Sequence, residues 1–86
     1  MSPLTLRQTI LRVLAQNKPY AVPAEQLLAE VNRLVRPAIT EEDLRTHLSW
    51  LLDHDLVAFM PDELDTDNVS ARRWLIKEAG EVALRK

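Results

Sequence analysis

The spacing of the apolar residues changes once along this chain, near Leu56. Before that point, apolar residues recur at helical spacing in three segments, each of which could bury one face of a helix. After it, they form short runs that are typical of strands. A chain of 86 residues is long enough for one hydrophobic core and too short for two. The sequence therefore predicts a single α+β domain over residues 1–86, mainly α.

Three helices are predicted before the change in spacing. The first covers about residues 4–16 and the second residues 23–36, and a proline follows each of them closely. The third helix is predicted to begin after Thr40, a favoured N-cap residue, with Asp43 at the second position of a capping box. Asp55 stands where a glycine commonly ends a helix, and aspartate tolerates the left-handed conformation better than most residues do.

A hairpin and a short helix are predicted after the change in spacing. The two strands cover residues 56–60 and 72–76, and a polar loop of residues 61–70 joins them. This loop is too long for a two-residue turn. Residues 77–86 can return to a helix, in which Gly80 is the weak point because glycine has a low helix propensity.

The composition argues against most kinds of catalytic or metal site. The chain has no cysteine, which excludes disulfides, thiolate zinc sites, iron–sulfur clusters and thiol catalysis. His47 and His54 could share a helix face, but two histidines without a clear third ligand make a poor metal site. The serines have no evident histidine–acid partners, and one glycine leaves little material for a phosphate-binding loop. We therefore expect a non-enzyme without metal, cofactor or small-molecule substrate.

The N-terminal residues do not resemble a targeting signal. Arg7 and Arg12 interrupt the apolar residues that a signal peptide would need. All apolar runs are far shorter than the roughly 20 residues that span a bilayer. The sequence therefore predicts a soluble cytoplasmic protein that does not associate with a membrane.

The net charge of −2 conceals a strong asymmetry along the chain. Residues 1–37 carry five basic against two acidic side chains, or +3, and residues 70–86 carry the same numbers. Residues 38–69 carry one basic side chain against nine acidic ones, or −8. This acidic block contains the predicted third helix and the hairpin loop, so these parts should repel a phosphate backbone.

Two stretches resemble a known superfamily. They are Leu44-x-x-His47-Leu48-x-x-Leu51-x-x-x-Asp55-Leu56-Val57 and Trp74-Leu75-Ile76-Lys77-Glu78-Ala79-Gly80. The first resembles the third helix and following strand of bacterial winged helix-turn-helix regulators, although those usually have glycine in the place of Asp55. The second resembles their junction between the last strand and the last helix, where a threonine commonly occupies the place of Lys77. The layout of the whole chain also resembles small winged-helix proteins of Mu-like phages and prophages.

The resemblance implies three helices, a β-hairpin wing, a short C-terminal helix and a DNA-binding role in transcriptional or phage regulation, as a dimer. In such proteins, the exposed side of the third helix enters the major groove. Arg45, Thr46 and Ser49 are then the candidate readers of base edges, and Arg72 and Arg73 the candidate phosphate contacts on the wing. The alternative for Arg45 is that it is only solvated. The alternatives for the arginine pair are salt bridges with loop acids or a charged sheet edge that resists aggregation.

A second hypothesis is a protein-interaction module that uses the acidic third helix and wing without binding DNA. Trp50 lies beside the predicted core stripe and, with Leu52, could expose apolar surface to a protein partner or a second copy of the chain. The alternative for Trp50 is a position covered by the first helix or the wing. Trp74, which alternates with Arg73 and Leu75, is expected in the core. The charge distribution favours this second hypothesis, and the usual role of the superfamily narrowly favours DNA.

Overall fold

The computed structural model describes residues 2–68 and 71–85. They form four helices and a three-stranded antiparallel sheet, and the chain is mainly helical, so the α+β prediction is confirmed. The elements in chain order are α1 (Pro3–Gln16), β1 (Val22–Pro23), α2 (Ala24–Leu34), α3 (Glu41–Asp53), β2 (Val57–Met60), β3 (Arg73–Ile76) and α4 (Glu78–Leu84).

Helix α1 begins with a side-chain cap. The Ser2 hydroxyl accepts a hydrogen bond from the Thr5 amide at 3.2 Å, and Pro3 occupies the first turn, where its missing N–H is not needed. At the other end, the Asn17 side chain donates to the Val13 carbonyl at 2.9 Å. The Asn17 amide donates to the same carbonyl at 3.2 Å, so both groups of Asn17 bind the end of the helix. The predicted helix of residues 4–16 is thus correct to within one residue.

Helix α2 is shorter than predicted at both ends. Pro23 caps the helix from outside instead of starting it, because it also belongs to β1. The helix ends at Leu34, since Val35 is extended and its side chain is buried in the core. The side chain of Asn32 accepts a hydrogen bond from the Ile39 amide at 2.8 Å and donates to the Ile39 carbonyl at 3.2 Å. These two bonds tie the connection to α3 back onto α2.

Helix α3 begins and ends as the sequence indicates. Thr40 and Asp43 form the predicted capping box. At the end of the helix, Asp55 adopts the left-handed conformation with φ 60°. Its amide donates to the Leu52 carbonyl at 3.0 Å, and the Leu56 amide donates to the Leu51 carbonyl at 3.0 Å. This pair of bonds is a Schellman motif that ends the helix and turns the chain into β2.

The sheet has the strand order β1-β3-β2, so β3 is central. The predicted hairpin is formed by β2 and β3, in which Phe59 lies opposite Trp74 and Met60 opposite Arg73. The short strand β1 was not predicted, and it places Val22 opposite Trp74 on the other side of β3. The described part of the hairpin loop, 61–68, is exposed, and the last two loop residues of the prediction lie outside the described residues.

Helix α4 packs closely on Leu56, the residue before β2, and on Ile76, the last residue of β3. Lys77 stands at the N-cap without a side-chain hydrogen bond to the helix. Gly80 is buried, and a Cβ placed on it would lie 2.4 Å from the Leu56 carbonyl oxygen. The glycine that the sequence suggested as a weak point is therefore required for close packing. The final residue of the predicted helix, residue 86, lies outside the described residues.

Apolar faces of α1, α2 and α3 and the inner face of the sheet form the core. Trp74 is 3% exposed, as predicted, and its ring centre lies 5.5 Å from that of Phe59. The side chains that are buried most completely are Ile10, Leu14, Leu27, Leu44, Leu51, Val13, Val22, Val31, Val35 and Val57. Among the described residues, every helix is too short or too polar to cross a bilayer.

Candidate functional site

The candidate base-reading residues lie together on the exposed side of α3. Arg45, Thr46 and Ser49 are all exposed, because the opposite side of the helix is buried in the core. The Arg45 guanidinium lies 3.3 Å from a carboxylate oxygen of Glu41, one turn earlier. The Thr46 hydroxyl donates to the Glu42 carbonyl at 3.0 Å. The structure thus gathers the three residues on one surface, where two of them already have partners in the helix.

Acidic side chains surround this exposed side of α3. Glu41, Glu42 and Asp43 occupy the first turn, and Asp53 the last, and all four are exposed. The three first-turn acids lie at the positive end of the helix dipole, which stabilises them, so their position does not require a role in binding another molecule. They also give this surface a negative charge, because Arg45 is the single arginine or lysine of α3. A phosphate backbone brought to this surface would meet repulsion.

The two candidate phosphate-contacting arginines have different environments. The guanidinium carbon of Arg72 lies 4.0 Å from the ring centre of Phe59, and the side chain is half-buried. Such a cation–π contact is favourable and holds the guanidinium on the sheet. Arg73 is exposed and lies opposite Met60 on the outer face of the hairpin. The structure therefore does not present the two arginines as one basic pair.

Trp50 and Leu52, the candidate interface residues, are both half-buried and pack against the core. Two cationic or aromatic groups also cover the indole of Trp50. The guanidinium carbon of Arg7 lies 3.8 Å from its ring centre, and the ring of His54 stacks on it at 3.7 Å. The His54 ring also makes a hydrogen bond to the Trp50 carbonyl at 2.8 Å. Trp50 is thus covered by Arg7 of α1, in agreement with the alternative that the first helix covers it.

Of the two contacts on the Trp50 indole, the sequence indicates only the one with His54. Trp50 and His54 are four residues apart, which is the spacing of neighbours on one helix face. Nothing in the local pattern relates Arg7 to Trp50, because their contact depends on how α1 packs against α3.

His47 lies half-buried beside Arg7. The Nδ1 atom of His47 and the Nε atom of Arg7 are buried and have no hydrogen-bond partner among the described residues. The pKa of His47 is lowered, first because burial disfavours its charged form and then because of the Arg7 charge, while Asp43 acts in the opposite direction. His47 therefore favours the neutral form more strongly than an exposed histidine does.

His47 and His54, which the sequence could place on one helix face, have no third metal ligand beside them among the described residues. His54 follows the last residue of α3 and stacks on Trp50. Across residues 2–68 and 71–85, no three side chains of histidine, aspartate or glutamate come together in a way that could hold a metal ion.

A second surface, on the outer face of the hairpin, was not identified from the sequence. Met60 is 52% exposed and Leu64 is 97% exposed, and both line a cleft with Arg73. Asp62 and Glu63 line the same cleft and are exposed. The signal that could have revealed this surface is the alternation of β2, which sends Phe59 to the core side and Met60 to the other side.

No family model, no curated protein and no solved structure matches this chain.

Proposed function

We propose that this protein is a winged helix-turn-helix domain that acts by binding and not by catalysis. The element order supports this proposal, because two helices and a capped third helix precede a β-hairpin and a short last helix. The resemblance of residues 44–57 and 74–80 to bacterial winged-helix regulators also supports it. By the same resemblance, we propose a bacterial or phage origin.

The function that the geometry supports best is protein binding through α3 and the hairpin. The observation that carries it is the charge of these two elements. The first turn of α3 and the hairpin loop each present exposed acids, namely Glu41, Glu42 and Asp43 on the helix and Asp62, Glu63, Asp65 and Asp67 on the loop. A DNA duplex would meet these acids at both of its expected contact points. A protein surface with basic side chains would instead be attracted to these acids.

The surroundings of the arginines support the same function. Arg45 lies beside the carboxylate of Glu41, and Arg72 stacks on Phe59. Each contact would have to be given up, at least in part, before the arginine could turn to a phosphate. Exposed apolar side chains at Met60 and Leu64 are more typical of a protein interface than of a phosphate-binding surface.

DNA binding in transcriptional or phage regulation is the second candidate function. The observation that favours it is the joint exposure of Arg45, Thr46 and Ser49 on the side of α3 that faces away from the core. These are side chains that can contact base edges or phosphates in a major groove. Arg73, exposed at the start of β3, could add a phosphate contact.

Fluorescence anisotropy with mixed-sequence duplex DNA, at low and at moderate salt, separates the two functions. For a protein-binding module, we expect no rise in anisotropy at low salt. Non-specific DNA binding would instead appear at low salt and weaken steeply as salt is added. The reason is that protein binding releases cations from the DNA phosphates, and a higher salt concentration opposes this release.

Two variants make the DNA experiment decisive. Arg45→Ala should weaken any DNA binding through α3, and Arg33→Ala, on an exposed part of α2, serves as a control with the same change of charge. Salt-sensitive binding that Arg45→Ala reduces and Arg33→Ala preserves would reject the protein-binding proposal and establish the DNA function.

A further inference from the structure

The outer face of the β2–β3 hairpin is the face of the sheet that points away from the core, and it is only partly buried. Two cross-strand pairs lie on this face, Ala58 with Leu75 and Met60 with Arg73. Their inner-face neighbours, Val57 and Trp74, are buried, so the outer pairs are the ones turned toward solvent. Ala58 and Leu75 are half-buried, and Met60 is 52% exposed. The face is therefore mostly apolar.

The hairpin loop extends this apolar face. Leu64 is 97% exposed and lines the same cleft as Met60 and Pro61. The Leu64 amide donates to the Asp62 side chain at 2.8 Å, which shapes the loop where the leucine side chain is displayed. Backbone hydrogen bonds within the loop hold its shape further, from Asp65 to Asp62 at 3.3 Å and from Asn68 to Asp65 at 3.1 Å. Leu64 is thus presented to solvent by a loop with its own internal bonds.

The charges around this face determine which partner it fits. Asp62, Glu63, Asp65 and Asp67 are exposed on the loop, and Arg73 is the one basic residue among those lining the cleft. Arg73 forms no ion pair with any of the described residues. The surface therefore has an apolar centre, an acidic edge and a single cation.

The same charges disfavour a second copy of the chain as the occupant. If two hairpins met face to face, the four acids of each loop would approach the four acids of the other, against one arginine from each copy. Like charges brought together at an interface oppose association. A partner with lysine or arginine side chains beside its apolar ones meets the acidic edge with attraction instead.

We propose that the outer face of the hairpin binds a basic, amphipathic segment of another protein. Apolar side chains of this segment pack on Met60, Leu64 and Leu75, and its lysine or arginine side chains face Asp62 and Glu63. The Arg73 guanidinium can donate to a main-chain carbonyl of the segment. This inference rests on the proposed protein-binding function and narrows it to one surface and one kind of partner.

The test uses two fluorescein-labelled peptides of about ten residues, long enough to cross a hairpin face. One contains leucine and lysine at helical amphipathic spacing, and the other has glutamate in place of every lysine. We expect the lysine peptide to raise the anisotropy in the presence of the protein and the glutamate peptide to leave it unchanged. Added salt should weaken the binding, because exposed charges are screened.

Charge-reversal variants of the protein locate the binding. Glu63→Lys/Asp65→Lys should weaken binding of the lysine peptide by roughly tenfold. Asp62 is kept in this variant because its side chain accepts the hydrogen bond from the Leu64 amide. The control is Glu25→Lys/Glu78→Lys, which changes the net charge equally at exposed positions of α2 and α4, away from α3 and the hairpin, and should bind as the unmodified protein does. Met60→Ser tests the apolar part and should also weaken binding. Circular dichroism of each variant verifies that the fold is retained.

Three results would overturn the inference. The first is no binding of the lysine peptide, and the second is equal loss in the two charge-reversal variants, which would mean attraction to net charge only. The third is a dimer in sedimentation analysis that Met60→Ser dissociates, which would make a second copy the occupant. None of these results depends on the DNA titration, so the surface proposal can fail while the protein-binding function stands.

Discussion

The guanidinium carbon of Arg7 lies 3.8 Å from the centre of the Trp50 ring, and this contact joins α1 to the last turns of α3. On the same indole, the ring of His54 stacks with 3.7 Å between the two ring centres. The polar side of the α1–α3 junction is therefore held by a cation and two aromatic rings, whereas its other side is aliphatic core. Substitutions here should report on packing between the helices and not on helix formation.

Replacing Arg7 with alanine should lower the free energy of unfolding by about 1 kcal/mol, the usual size of a partly desolvated cation–π contact. Alanine has a slightly better helix propensity than arginine, so the loss cannot come from the helix itself. Urea denaturation followed by Trp50 and Trp74 fluorescence measures the change. Arg12→Ala, at an exposed position of the same helix, is the matched control, and an equal effect of both substitutions would contradict the role of Arg7.

Stability should decrease as the pH falls through the titration range of His47. Its pKa is lowered in the folded state, chiefly by burial and then by Arg7. The unfolded chain therefore binds the proton more readily than the folded one, so stability is complete above the ordinary histidine pKa of about 6.5 and is lost below it. The loss continues until the pH drops below the folded-state pKa. Urea midpoints at a series of pH values measure this dependence, which His47→Gln should reduce.

The Arg7→Ala variant provides a separate check on the cause of the lowered pKa. Without the neighbouring guanidinium, the pKa of His47 should rise, because the Arg7 charge disfavours the protonated ring. NMR titration of the histidine ring protons measures this directly. An unchanged His47 titration in this variant would leave burial as the only cause.

Asp55 should tolerate glycine better than alanine, because it has φ 60° at the end of α3. Glycine adopts this conformation without strain, and we expect Asp55→Gly to be as stable as the unmodified protein or more stable by up to about 1 kcal/mol. Asp55→Ala should be less stable than Asp55→Gly by about 1 kcal/mol. Thermal or urea unfolding of the two variants tests the difference.

The ion pair between Asp55 and Lys77 has to be separated from this backbone effect. The Asp55 side chain is 77% exposed and that of Lys77 is 41% exposed, so we expect the pair to contribute little. Lys77→Ala removes the pair without changing the left-handed residue. A loss in Lys77→Ala as large as that in Asp55→Ala would show that charge, and not backbone conformation, determines the effect.

The elements that were predicted correctly have strong local signals. Thr40 and Asp43 specify the start of α3 through the capping box, and the hydrophobic spacing of α1 extends over three turns. The strand β1 has only Val22 and Pro23, which is too short to show any periodicity. It exists because Val22 meets Trp74 across the sheet, and such long-range pairing leaves no trace in a local pattern.

The candidate site was predictable to the same limited extent. Helical periodicity placed Arg45, Thr46 and Ser49 on the exposed side of α3, where they lie. The stacking of Arg72, just before β3, on Phe59 of β2 joins residues that are distant in the chain. The sequence could therefore present Arg72 and Arg73 as one basic pair although their environments differ. Exposure follows from local spacing, whereas the partner of an exposed charge depends on the packing of distant elements.

For Gly80→Ala, helix propensity and packing predict changes of opposite sign in the free energy of unfolding. On helix propensity alone, Gly80→Ala should stabilise α4 by about 1 kcal/mol. A Cβ at this position would lie 2.4 Å from the Leu56 carbonyl oxygen and 2.8 Å from Cγ1 of Ile76. Because the nearer atom belongs to the backbone, the helix must move away from the sheet, and overpacking of this kind costs about 1–3 kcal/mol. We therefore expect Gly80→Ala to lower the free energy of unfolding by about 1 kcal/mol after the propensity gain is included.

Urea denaturation of Gly80→Ala beside Ala79→Gly tests this expectation. Ala79 is exposed in the same turn of α4, so its replacement by glycine should show the propensity effect alone, a loss of about 1 kcal/mol. If α4 were only loosely attached, Gly80→Ala would stabilise the protein and Ala79→Gly would destabilise it. Destabilisation by both substitutions, one adding a methyl group and the other removing one, is the result expected of a helix seated closely against Leu56 and Ile76.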